Sequence, residues 1–135
     1  MQYPRVPEWV KDEMAHLIAS DMRSRLTELG GRDCDPATWE RLAQSYGASV
    51  DTYSRPGGPV GRHLRQWATV AYNTARGLFS QCRAICHELT RFLLWHWTPP
   101  RLRSGADALP YDDDPLRVCH QIAQRVEWLV LGVAL

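Results

Sequence analysis

Across residues 7–28 and up to Leu29, the apolar positions Trp9, Val10, Met14, Leu17, Ile18, Met22, Leu26 and Leu29 recur at three- and four-residue spacing. That period returns side chains to one face of a helix, so the segment reads as amphipathic and helical. Pro7 suits its first turn, and Gly30-Gly31 ends it. Asp35-Pro36 then supplies an N-cap and first-turn pair for a shorter helix with Trp39, Leu42, Ala43 and Tyr46 on its apolar face, stopped by Gly47. Next the period falls to two. ASVDTYS alternates as a strand does, SRPGGPVG is a turn-rich connection, and HLRQWATVAYN alternates again, with Leu64, Trp67, Thr69 and Ala71 opposite Ala68, Val70 and Tyr72. From Thr74 the pattern is helical once more. Leu78, Cys82, Ile85, Leu89, Phe92 and Leu93 line one side as far as Trp97, where Pro99-Pro100 ends the run. Residues 98–114 read as an irregular loop, and Asp114-Pro115 opens a last helix with Leu116, Cys119, Ile122, Ala123, Val126 and Leu129 or Val130 as its stripe.

The predicted order is helix, helix, strand, strand, helix, loop, helix, which is an α+β layout without the alternation of βαβ units. Composition narrows this further. At 135 residues the chain makes one domain, 1–135, able to bury roughly two-thirds of its unfolded surface. With 44% hydrophobic and 23% charged residues it is far from the composition of disorder. A net charge of +1 calls for no nucleic-acid partner. The opening residues MQYPRVPEWVKDEM lack the apolar core of a signal peptide, and no window approaches the roughly 18 apolar residues of a membrane span, so a cytoplasmic protein with no membrane partner is expected. In that compartment Cys34, Cys82, Cys86 and Cys119 are expected as buried thiols.

Candidate chemistry sits in RAICHELTRFLLWHW, residues 83–97. His87 and Glu88 begin the helical zinc-protease pattern His-Glu-x-x-His, but Arg91 stands where the second histidine belongs. The spacing matters because imidazoles four residues apart reach one Zn²⁺ from one helix face, while the adjacent glutamate takes a proton from the metal-bound water. A guanidinium is permanently charged and has no lone pair to donate, so Arg91 repels a cation. His96 follows His87 by nine residues, about 900 degrees of helical rotation, and falls on the opposite side. Cys86 and Cys119 adjoin candidate ligands in sequence and remain alternatives for a noncanonical site. The bland alternative is a polar pair, Glu88 with Arg91 at i, i+3.

Three segments together carry a resemblance: TWERLAQSYGASVDTY, a short helix running through Tyr46-Gly47 into a strand; WATVAYNTARGLFSQCRAICHELTRFLLW, a strand ending in Asn73 before the His-Glu helix; and HQIAQRVEWLVL downstream. In their order and spacing, over about residues 36–131, the chain resembles the ImmA/IrrE family of small zincin-type metallopeptidases, with residues 1–30 as an added N-terminal helix. The resemblance implies a zincin-like α+β fold: N-terminal helices, a small twisted sheet, a central His-Glu helix and a C-terminal helix. It places Glu88 at the general-base position, His87 at the first ligand and His120 at the third, with Glu127 two turns on as a substitute. Family members commonly sit beside helix-turn-helix repressors, which implies a protein partner, here on a separate chain. With Arg91 in the second corner, the favoured expectation is an impaired or inactive protease-like regulator that acts by protein binding and holds no cofactor. The alternatives are a zinc-dependent endopeptidase cleaving a repressor-type protein, and an assembly protein with Trp95 and Trp97 at an interface.

Overall fold

A computed structural model describes residues 5–30, 35–57, 61–64, 69–96 and 113–132. Helices α1 (Glu8–Leu29) and α2 (Pro36–Ser45) lead into strands β1 (Ser49–Tyr53), β2 (Gly61–Leu64) and β3 (Thr69–Asn73), followed by α3 (Leu78–His96) and α4 (Pro115–Leu131). The class is therefore α+β. No helix among the described residues is long and apolar enough to cross a membrane.

Local chemistry accounts for most element ends. Asp35 and Asp114 each accept from the amide two residues on, Ala37 and Leu116, and each is followed by a proline that needs no partner for its missing N–H. Gly30 closes α1 at φ 66° and donates its amide to Leu26 and Thr27 carbonyls, a left-handed cap that costs a residue with a Cβ far more than glycine. Thr74 to Gly77 form a turn instead of the first helical turn expected from the pattern. The cause is Asn73, wholly buried, whose side-chain oxygen accepts from the Arg55 and Ala75 amides while its Nδ2 donates to the Arg55 carbonyl. These bonds take up backbone groups that would otherwise begin the helix.

The sheet corrects the two-strand expectation. Its order is β1-β3-β2, with β1 parallel to β3 from Ser49↔Thr69 to Tyr53↔Asn73 and β2 antiparallel to β3 from Gly61↔Tyr72 to Leu64↔Thr69. The end of the expected loop and the start of HLRQWATVAYN make a separate strand, β2; Trp67 and Ala68, in the middle of that run, lie outside the described residues. In β3, Val70, Ala71, Tyr72 and Asn73 are all buried instead of alternating. Successive strand residues point to opposite faces, so this central strand is covered on both.

One core joins Met14, Ile18 and Met22 of α1, Trp39 and Leu42 of α2, Val70 of β3, Ile85 and Leu89 of α3, and Ile122 and Val126 of α4. The α1 stripe is narrower than its sequence suggests. Trp9 is 64% and Leu17 58% exposed, because Val10, Met14, Ile18 and Met22 form the i, i+4 centre of the buried face and those two residues fall outside it. Leu78 and Leu116, also expected inside, are exposed. Lys11 goes the other way: it is buried, with Nζ on Gln121 Oε1 and Glu8 Oε1, which ties α1 to α4. Cys82, Cys86 and Cys119 are buried thiols, whereas Cys34, Trp97 and residues 98–112 of the expected loop lie outside the described residues, as do the side chains of Trp95 and His96.

Candidate functional site

Helices α3 and α4 run antiparallel, with Arg83 and His87 meeting Glu127 and His87 also meeting His120 further back along α4. Positions 83, 87 and 91 are successive turns of α3, while 120 and 127 are two turns apart on α4, so five polar side chains converge on one seam. His87 Nδ1 lies 2.8 Å from Glu127 Oε2, and its Nε2 lies 3.2 Å from His120 Nδ1. The rings meet edge to face with centroids 4.9 Å apart. Arg83 Nε donates to the other Glu127 oxygen at 2.8 Å. Arg91 donates to Glu88 Oε2 at 3.3 Å.

The carboxylate decides the proton positions. Glu127 only accepts when ionised, so the Nδ1–H of His87 donates to it; with both rings neutral, Nε2 of His87 then accepts the Nδ1–H of His120. A chain of donors thus runs from His120 through His87 to Glu127, with Arg83 balancing the carboxylate charge. The Glu127 and Glu88 side chains are only 5% and 7% exposed. Burial pushes the Glu88 carboxyl above its ordinary value, against the pull of neighbouring Arg91 and His87. Burial, then His87 and Arg91, pushes His120 below its ordinary value.

The sequence-predicted residues divide clearly. His87, Glu88, Arg91, His120 and Glu127 come to one seam. Glu127, expected as a substitute ligand, holds His87 and Arg83. Cys86 faces the core at 0% exposure, and burial with the Glu127 charge pushes its thiol well up, away from the thiolate that metals bind. Cys119 is likewise a core residue. Arg83 was not singled out in the sequence, although its place one turn before His87, matching Arg91 one turn after, is a visible signal.

The donor set does not suit a three-ligand zinc site. Two imidazole nitrogens stand close enough to share an ion, but the side chain one turn after His87 is the cation Arg91, Glu88 is paired to it, and Glu127 is engaged by Arg83 and His87. Among the described residues no group of three or more His, Cys, Asp or Glu is arranged to hold a metal ion. The chain matches no family model, no curated protein and no solved structure.

Proposed function

We propose that the chain is a metallopeptidase-fold protein of the ImmA/IrrE type whose catalytic site has been converted to a metal-free polar network, and that it acts as a regulator by binding a protein partner. The observation that carries this reading is the Arg91–Glu88 ion pair. A zinc peptidase needs a neutral donor at position 91 and a free carboxylate at position 88 to activate water. Here one fixed cation takes the first role away and engages the second. The Glu127 contacts support the same reading, since the carboxylate that orients His87 is also balanced by Arg83 and needs no metal for charge compensation.

The test is elemental analysis of protein purified without chelator, together with hydrolysis of an unfolded protein substrate in added zinc. Substoichiometric zinc and no hydrolysis are expected. Stoichiometric zinc that is lost in His87→Ala would replace this reading with a zinc endopeptidase using His87 and His120 as ligands and Glu88 as base.

A further inference from the structure

Phe79, Arg83, His87 and Arg91 follow one another at four-residue spacing and share a face of α3. Leu116 and His120 form a parallel line on α4, brought alongside by the His87–His120 contact. We propose that this face docks an acidic segment of a protein partner, with Arg83 and Arg91 each gripping a carboxylate and Phe79 and Leu116 receiving apolar residues at the two ends. The proposal rests on the reading of the protein as a partner-binding regulator and names the chemistry of the partner.

The charge arrangement supplies the argument. Between Phe79 and Arg91 the only acidic residue is Glu88, and between Leu116 and Trp128 it is Glu127. Both carboxylates are buried, while the side chains of Arg83 and Arg91 are 48% and 30% exposed. Each ion pair therefore keeps its negative end inside and its positive end at the surface. A guanidinium carries five N–H donors in a planar fork, so the one bond to the buried carboxylate fixes the side chain and leaves further donors for a carboxylate arriving from solvent. Such preorganisation lowers the ordering cost of binding.

Spacing and flanks favour a peptide over a nucleic acid. Arg83 and Arg91 are eight residues apart, about 12 Å along the helix axis. An extended chain covers that distance in about four residues. Exposed Phe79 lies one turn beyond Arg83, and exposed Leu116 one turn of α4 beyond His120, toward the Arg91 end. Two cations bracketed by apolar side chains match a short acidic segment with hydrophobic flanks, not the long basic track that a phosphate backbone requires.

The experiment titrates the full chain into a fluorescein-labelled peptide with two glutamates four residues apart and a leucine at each flank, read by anisotropy. Controls are the same peptide with glutamines and a labelled oligothymidylate. Saturable binding is expected, weakened severalfold as salt rises from about 0.05 to about 0.5 M. The glutamine peptide, and the double variant Arg83→Gln/Arg91→Gln, should bind at least about tenfold more weakly. Arg41→Gln, at an exposed position on α2, should bind unchanged. Because the double variant strands two buried carboxylates, amide shifts of the nitrogen-15-labelled wild-type chain give a second measurement. They should concentrate at residues 79–91 and 116–120. Absence of saturable binding, shifts centred elsewhere, or tighter binding of the oligothymidylate overturns the proposal. A zinc-free chain that ignores the peptide removes this surface alone, and a zinc-loaded chain that binds it removes the metal-free reading alone.

Discussion

Arg91 and Glu127 set the chemistry of the α3–α4 seam from two sides, one by placing a cation against Glu88 one turn after His87 and the other by fixing the ring of His87. Under the proposed reading, Arg91→His places a pair of imidazoles at i, i+4 and releases Glu88. Zinc affinity, followed by isothermal titration, should then rise at least about tenfold over the parent, the scale on which ligand-sphere changes act. No gain would count against a backbone built for zinc at this seam. His120 carries a pH signature of its own. Its folded-state pKa lies below the ordinary 6.5, so as pH falls the unfolded chain takes up the proton first and stability drops below about that value. Glu88 has the opposite sense: its raised pKa means that the unfolded chain ionises first, and stability is lost as pH rises above the ordinary 4.5. Melting temperature against pH should therefore decline on the acid side below about 6.5, and His120→Gln should flatten that limb. A limb of unchanged slope in the variant would assign the effect elsewhere. The His-Glu-x-x-Arg departure was legible in sequence, since it depends only on residue identity at fixed helical spacing. Glu127 as the partner of His87 was not, because a contact between helices forty residues apart depends on how they cross.

At the scale of the element, α4 brings His120 and Glu127 to α3, and its first turn depends on Asp114, whose side chain accepts from the Leu116 amide. Asp114→Ala should cost about 1 kcal/mol in urea denaturation and speed amide exchange at Leu116 first. A midpoint unchanged from the parent would mean that α4 is held by packing alone. Neighbouring Asp113 accepts from the Val6 amide and from Arg117, which pins the chain entering α1 against the start of α4. The helices were readable because their period survives in the sequence whatever they pack against. Strand β2 and the buried run of β3 were not, because pairing order and double-sided covering belong to the sheet and leave no period of their own.

Across the whole molecule one core joins all four helices and the sheet, and Ile122 is one of its largest fully buried side chains. Ile122→Ala should destabilise by about 2–5 kcal/mol with an unchanged urea m-value, since it opens a cavity without altering the surface exposed on unfolding. A loss below about 1 kcal/mol would show that the α3–α4 packing closes over the gap. Tyrosine pairs help hold α2 within this assembly: Tyr72 donates its hydroxyl to Glu40, and Tyr46 to Asp21 of α1 with Arg25 3.9 Å above its ring. Burial and these carboxylates raise both phenol pKa values above the ordinary one, which favours the protonated hydroxyls that donate these bonds.

The sequence by itself determined the helices in outline, their caps at Asp35 and Asp114, the α+β class and the cation Arg91 one turn after His87, since each follows from neighbours a few residues apart along the chain. Only the tertiary structure decided that β1 runs parallel to β3, that Lys11 is buried while Trp9 is exposed, and that Glu127 orients His87. Those outcomes depend on which element lies beside which, and a buried charge is tolerated only where another part of the chain supplies its partner.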